Sequence, residues 1–174
     1  DGGTLRIGST YSIPTNYATH SFTSGSTVEY YGADQTITPE TSTGYGNLTL
    51  SGTGTKLIAA GAAVTVQSGL TTSDKLTIMS DSLGKNGSLI VRGSTAGKVT
   101  YKRQLHKGPY GDYYYFSSPV VSNSDGNAAT VTYVWSWDEP GGVWHVETGG
   151  TTGLSSCIGY NLAQKKTGNG LITF

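Results

Sequence analysis

The chain has 174 residues, of which Gly, Thr and Ser supply 72 (26, 26 and 20). Its 11 Lys and Arg balance 11 Asp and Glu, and charged residues make up only 13%. Nucleic acid and anionic membranes both call for clustered positive charge, so neither is an expected partner. No run of 18 apolar residues is present to span a bilayer, and the lone Cys157 excludes an internal disulfide framework or a Cys-rich metal site.

The longest stretch free of Gly and Pro, Leu70 to Leu83, reads LTTSDKLTIMSDSL, with Thr and Ile where a helix prefers Ala, Glu or Leu. Gly and β-branched residues at this density disfavour helices, so an all-β chain is expected. The 12 Tyr, 3 Trp and 3 Phe, together with low net charge, favour burial over Gly/Ser-rich disorder.

Taken in order, short apolar-polar-apolar clusters occur at Thr4–Ile7, Thr27–Tyr30, Asn47–Leu50, Val64–Val66, Leu76–Ile78, Leu89–Val91 and Val99–Tyr101. Each has the alternation of a half-buried strand. Weaker pieces lie at Lys56–Ile58 and Leu70. From Leu48 the clusters start 16, 12, 13 and 10 residues apart, separated by Gly and Ser rather than by Asn-Gly hairpin pairs. The choice lies between an antiparallel sandwich and a solenoid. Very short strands, small corner residues and mutual likeness (NLTLSGTGTK, VTVQSG, LTIMSDS, LIVRGS) favour the parallel β-solenoid. Residues 10 to 25, with Pro14, Tyr17, His20 and Phe22, depart from the pattern and are expected to form a loop or an atypical coil.

Near Lys102 the texture changes. Val99, Tyr101, Arg103 and Leu105 share one face of a longer strand, and TYVWSWDEPGGVWHVE at 132–147 reads as a β-hairpin turning at DEPGG. The expectation is a solenoid over residues 1–102, followed over 103–174 by an aromatic-rich, antiparallel β-sandwich-like module. The strand at Leu171–Phe174 has no turn after it, so the module is expected to continue further along a longer chain.

The stretch STVEYYGADQTITPETSTGYGNLTLSGTGTK resembles a repeated unit of very large secreted and cell-surface (adhesin-like) proteins of the Bacteroidota. Val28, Tyr30, Gly32, Gln35, Ile37, Tyr45, Leu48, Leu50, Gly52 and Lys56 carry the likeness. The later YKRQLHKGPYGDYYYFSSPV, WSWDE, GGVW and GYNL resemble a module near the C-terminal regions of the same proteins. This resemblance implies an extracellular or outer-surface location and export by the type IX secretion machinery. Asp81-Ser82-Leu83 resembles the O-glycosylation pattern of exported Bacteroidota proteins, which makes Ser82 the candidate modified residue.

The search for chemistry yields little. Asp34, Asp74 and Asp81 fall in the expected corners and Asp138-Glu139 in the hairpin turn, where solvated carboxylates that cap amides are the plain reading. A paired-carboxylate glycosidase would need such acids to converge in one groove. His20, His106 and His145 lack metal-ligand spacing. Ser117-Ser118-Pro119 lacks a nucleophile-elbow context, and SGTGTK lacks phosphate-loop spacing. No catalytic, cofactor-binding or metal-ligating set is assigned. The sequons at Asn47 and Asn86 would count only in a eukaryotic secretory pathway. Among the aromatics, Tyr133, Trp135 and Trp137 are the first candidates for core, while Trp144, Tyr114 and Phe116 are the candidates for stacking on glycan rings. The expected function is a non-catalytic structural or adhesive stalk segment. Its partners would be other domains of the same chain, surface glycans or neighbouring copies in a filament, and the secretion machinery. The alternatives are a carbohydrate-binding module using the aromatics of residues 113–144, and a polysaccharide-degrading β-helix.

Overall fold

The structure, a computed structural model, describes residues 2–14, 16, 20–40, 43–105, 113–118, 131–147, 154–155, 158–164 and 170–173. Every regular element among them is a β-strand. The chain divides into two compact units, Asp1–Ser80 with Lys85–Thr100, and Asp81–Gly84 with Tyr101–Phe174.

The first unit is a parallel β-solenoid of about four turns. Its strands are β1 (Thr4–Ile7), β2 (Thr27–Tyr30), β3 (Gln35–Thr36), β4 (Asn47–Leu50), β5 (Lys56–Ile58), β6 (Ala63–Val66), β7 (Gly69–Thr71), β8 (Leu76–Met79), β9 (Ser88–Val91) and β10 (Ser94–Ala96). They stack as three parallel faces, β1-β2-β4-β7-β10, β3-β5-β8 and β6-β9. A parallel bridge from Tyr45 to Val66 extends the third face by one coil. Register partners Leu5, Val28, Leu48, Leu70 and Thr95 are 23, 20, 22 and 25 residues apart. The irregular steps in the sequence are therefore distances between faces of one coil, and the repeat itself is about twice as long. Coils differ in length because loops between faces differ, while the strands keep register.

Alternation along each strand decides what enters the core. In β2 and β4 the second and fourth residues are buried: Val28 and Tyr30, Leu48 and Leu50. Ile37, Ile58, Val64, Val66, Leu70 and Leu76 complete the interior. Burying each such aliphatic side chain stabilises the fold by about 1.5–3 kcal/mol. The atypical segment before β2 contributes as well, since Ile13 is buried and Phe22 stacks on Tyr45 with ring centroids 5.5 Å apart. Tyr17 lies outside the described residues.

The corners between the first and second faces are held by side chains that reach from one coil to the next. Asp34 Oδ1 accepts the Thr55 amide at 2.7 Å, and two repeats on Asp74 Oδ1 accepts the Lys98 amide at 2.6 Å. Just before each donor stands a glycine with a left-handed backbone, Gly54 (φ 72°) and Gly97 (φ 90°). A Cβ on Gly54 would lie 2.4 Å from Asp34 Oδ1, and one on Gly97 2.4 Å from Thr72 Oγ1. Both the handedness and the close approach exclude a side chain.

The second unit comprises β11 (Val99–Gln104, which begins in the first), β12 (Tyr113–Ser117), β13 (Val131–Asp138), β14 (Val143–Glu147), β15 (Gly159–Gln164) and β16 (Leu171–Thr173). Four of them form an antiparallel sheet in the order β12-β15-β13-β14. The hairpin β13–β14 turns where the sequence places it, with the Gly142 amide donating to Asp138 O at 2.8 Å. β16 pairs antiparallel with β11, so this strand has its partner earlier in the chain. Leu105 and Ile172, from the end of β11 and from β16, share a core cluster with Val134, Leu154, Tyr160 and Leu162, and Tyr101, Tyr114 and Phe116 pack against it.

This core corrects one expectation. Tyr133 and Trp137 are exposed, Trp135 is half-buried, and Val134 between them is the buried residue of β13. Alternation alone points to the wrong face, because the large apolar residues lie on the outward side while Val134 is flanked by Thr132 and Ser136. The phase is set by β15, whose inward Leu162 is in register with Val134 and with Tyr114.

Candidate functional site

Because Val134 and Leu162 point inward, the residues between them point out. On β13 these are Tyr133, Trp135 and Trp137. On β14 they are Trp144 and Val146, and on β12 Tyr113 and Tyr115. Asn161 on β15 lies in register between Tyr115 and Trp135. Antiparallel pairing thus gathers into one surface aromatic residues from three separate stretches of sequence.

The rings are close and tilted rather than stacked flat. Trp137 and Trp144 have centroids 5.2 Å apart at 58°, and Tyr115 and Trp144 6.3 Å apart at 40°. A second group joins Trp135 to Tyr113 at 5.6 Å and to Tyr133 at 5.5 Å. Such tilted pairs are the favoured arrangement for ring quadrupoles. The Trp137 indole is also fixed at its polar edge, where Nε1 donates to Glu139 Oε2 at 2.5 Å.

Between these rings lies a depression of about 450 Å³, lined by Tyr115, Phe116, Trp137, Trp144, Gly159 and Tyr160. Among the described residues no charged side chain lines it. Gly159 leaves the end of β15 bare, so that the neighbouring rings are reached from outside. On β15 next to the depression's Gly159 and Tyr160, Asn161 Oδ1 is buried and has no hydrogen-bond partner among the described residues. An acceptor without a donor in such surroundings costs about 1–3 kcal/mol.

Of the three residues singled out for glycan stacking, Trp144 and Phe116 line this depression. Phe116 also packs against the core, and Tyr114 belongs to that core-facing side alone. Tyr115 and Trp137 fall within the aromatics of residues 113–144 without being singled out individually, and Asn161 is not a sequence candidate. The signal that would have found them is the register of β12 and β13 on β15, which joins residues 42 to 50 and 24 to 33 apart in sequence. Ser82 is exposed in the turn after β8, where Asp81 Oδ1 accepts the Leu83 amide at 2.9 Å and Leu83 is 82% exposed.

The remaining candidates are engaged in the fold. Asp34 and Asp74 hold corner amides, and Asp138 Oδ2 stands 3.4 Å from His145 Nε2. Asn47 bridges three coils, its amide donating to Ser24 O and Ser26 O at 3.1 Å while Oδ1 accepts the Gly69 amide at 3.0 Å. His20 stacks on Phe22. His106, Cys157 and Pro119 lie outside the described residues. Among the described residues no three His, Cys, Asp or Glu side chains come together as a metal site, and no helix is long and apolar enough to cross a membrane.

Inside the solenoid two polar residues sit in the core row that continues into Leu76. Gln35 and Lys56 are register partners, and both are buried. Lys56 Nζ donates to Gly32 O, Ala33 O and Thr53 O at 2.9, 2.7 and 2.9 Å. Burial first, and the charge of Lys75 second, push its pKa below the usual lysine range, against a smaller pull from Asp34. Gln35 Nε2 donates to Ile7 O and Tyr11 O at 3.1 and 2.8 Å, while its Oε1 accepts the Gly32 amide at 2.8 Å. On the solvent side, Glu29 accepts from Ser51 and Arg6 at 2.6 and 2.7 Å, and those two bonds hold its carboxyl below the ordinary range. These groups have reactive chemistry, but their hydrogen bonds are made to backbone and to neighbouring coils.

Comparison of the chain with protein-family models, with curated proteins and with solved structures finds no match.

Proposed function

We propose that the chain is a non-catalytic structural segment of a large extracellular protein, a stalk that spaces other domains of the same polypeptide from a bacterial surface. The observation that carries this reading is the use made of polar side chains at the solenoid corners. Gln35, Lys56, Asp34, Asp74 and Asn47 all cap backbone groups of their own or an adjacent coil. In a solenoid each coil touches only its neighbours, so stiffness depends on how firmly successive coils are joined. Side chains placed at that junction serve a mechanical part rather than a chemical one.

The resemblance of residues 26 to 174 to repeat-bearing surface proteins of the Bacteroidota supports the same reading. It brings with it the outer surface as location, type IX export, neighbouring copies in a filament as partners and Ser82 as a glycosylated residue. Immunogold labelling of unpermeabilised cells with antibody against the solenoid tests the location, and intact mass of the natural protein tests Ser82. Incubation with a panel of polysaccharides, read as new reducing ends, tests the lack of catalysis. Labelling seen only after permeabilisation, or turnover of any polysaccharide, would overturn the proposal.

A further inference from the structure

We propose that the depression beside Trp137 and Trp144 on the outward face of the β12-β15-β13-β14 sheet binds neutral hexose oligosaccharides, with Trp144, on the edge strand β14, as its platform. The inference stands apart from the stalk reading, since a spacer needs no ligand.

Three features select this occupant. The first is size. The four strands offer about a dozen outward positions, against roughly 20–30 residues on each side of a stable protein interface. The depression of about 450 Å³ instead falls in the range of small-ligand sites, about 300–1,000 Å³. The second is surface type. Among the described residues, five aromatic side chains and a glycine line the depression, with no aliphatic side chain among them. Ring faces tilted at 40° and 58° to Trp144 suit the flat C–H faces of successive pyranose units rather than one planar ligand.

The third is charge. The lining among the described residues carries none, and the nearby carboxylate of Glu139, which holds the Trp137 indole, repels uronic acids and other anionic sugars. The chosen ligand is therefore uncharged. Its hydroxyls meet a polar group at the margin, the Glu139 carboxylate. The Trp137–Glu139 bond fixes one wall before the ligand arrives, which lowers the ordering cost of binding.

The test titrates the full chain with cellohexaose, laminarihexaose and a neutral galactan hexamer, followed by tryptophan fluorescence and by heat. At least one should bind, and Trp144→Ala should weaken it about tenfold or more, as loss of an aromatic anchor does. Trp144→Phe should keep part of the affinity. Trp135→Ala lies on the same face outside the depression and should leave binding unchanged. Each variant's urea midpoint establishes that it is folded. Four results would each overturn the proposal: no response to any neutral hexamer at millimolar concentration, equal losses from Trp135→Ala and Trp144→Ala, tighter binding of oligogalacturonate, or self-association in sedimentation that Trp144→Ala abolishes.

Discussion

The hydroxyls of Tyr30 and Tyr45 lie 3.1 Å apart inside the solenoid and close a hydrogen-bonded loop through a single residue, Thr38. The Thr38 amide donates to Tyr30 Oη at 3.2 Å, and Tyr45 Oη donates to Thr38 O at 2.5 Å. With the Tyr45 proton so engaged, the proton between the two rings belongs to Tyr30. Burial above all, with Tyr30 adding to it, pushes the Tyr45 pKa far above the tyrosine range. In the unfolded chain Tyr45 releases its proton near pH 10, whereas in the folded chain it keeps it. Above that pH the unfolded state binds fewer protons, so stability falls as pH rises. Urea melts between about pH 8 and about pH 11 should show this fall, and it should be shallower in Tyr45→Phe. At neutral pH the same variant should lose about 1–3 kcal/mol, because Thr38 O is left without its donor. An unchanged alkaline slope would show that Tyr45 is not the group responsible.

Lys56 titrates in the opposite sense. Its folded pKa lies below the unfolded one, so its linkage term favours the folded state increasingly as pH rises toward about 10.4 and is constant above that. Removing the charge altogether does not follow the same logic. Lys56→Met fills the space and avoids a buried ammonium, but it leaves the carbonyls of Gly32, Ala33 and Thr53 with no Nζ donor. Orphaned acceptors outweigh the relief of desolvation, and a net loss of about 2–4 kcal/mol is expected from the urea midpoint. A more stable Lys56→Met would mean that water or a neighbouring chain segment satisfies these carbonyls instead.

The corner glycine and carboxylate should behave as one device. Asp34→Ala removes the acceptor of the Thr55 amide and should cost about 1–2 kcal/mol. Gly54→Ala should cost at least as much, since it adds a left-handed strain of about 1–2 kcal/mol and drives a methyl against Asp34 Oδ1. The double variant should lose less than the two single losses together, because the methyl no longer meets a carboxylate. A double-mutant cycle with a coupling of at least about 0.5 kcal/mol is the expected result. Strict additivity would place the collision elsewhere.

How much of this was legible beforehand depends on which interaction carried the information. The solenoid strands could be read because Val28 and Tyr30, or Leu48 and Leu50, alternate with polar neighbours within four residues. The coil length was hidden, since the second face of a coil can be as short as Gln35–Thr36, too brief for any periodicity. Gln35 and Lys56 were recognised as parts of a recurring pattern but not as core residues. Nothing local marks a lysine as internal when its partners are three carbonyls, two of them 23 and 24 residues away. The aromatic surface was half legible: its composition stood out, while the side on which each ring lies waited on the register with β15.

That last point yields the final prediction. If Val134 rather than Trp137 faces the core, truncating the smaller residue should do the greater harm. Val134 is 4% exposed and packed among Leu162, Tyr160 and Ile172, so Val134→Ala leaves a cavity in the small core of the second unit. A loss of about 1–3 kcal/mol follows from two missing methyl groups and incomplete collapse. Trp137 is 43% exposed, and its chief contacts are the Trp144 ring and the Glu139 carboxylate. Trp137→Ala should cost no more than about 0.5–1.5 kcal/mol, the value of an aromatic pair. Acrylamide quenching gives an independent reading of the same alternation, with Trp137 and Trp144 reached readily and Trp135 less so. If Trp137→Ala proved the more damaging change, the alternation along β13 would have the opposite phase, and the aromatic face with its depression would be interior.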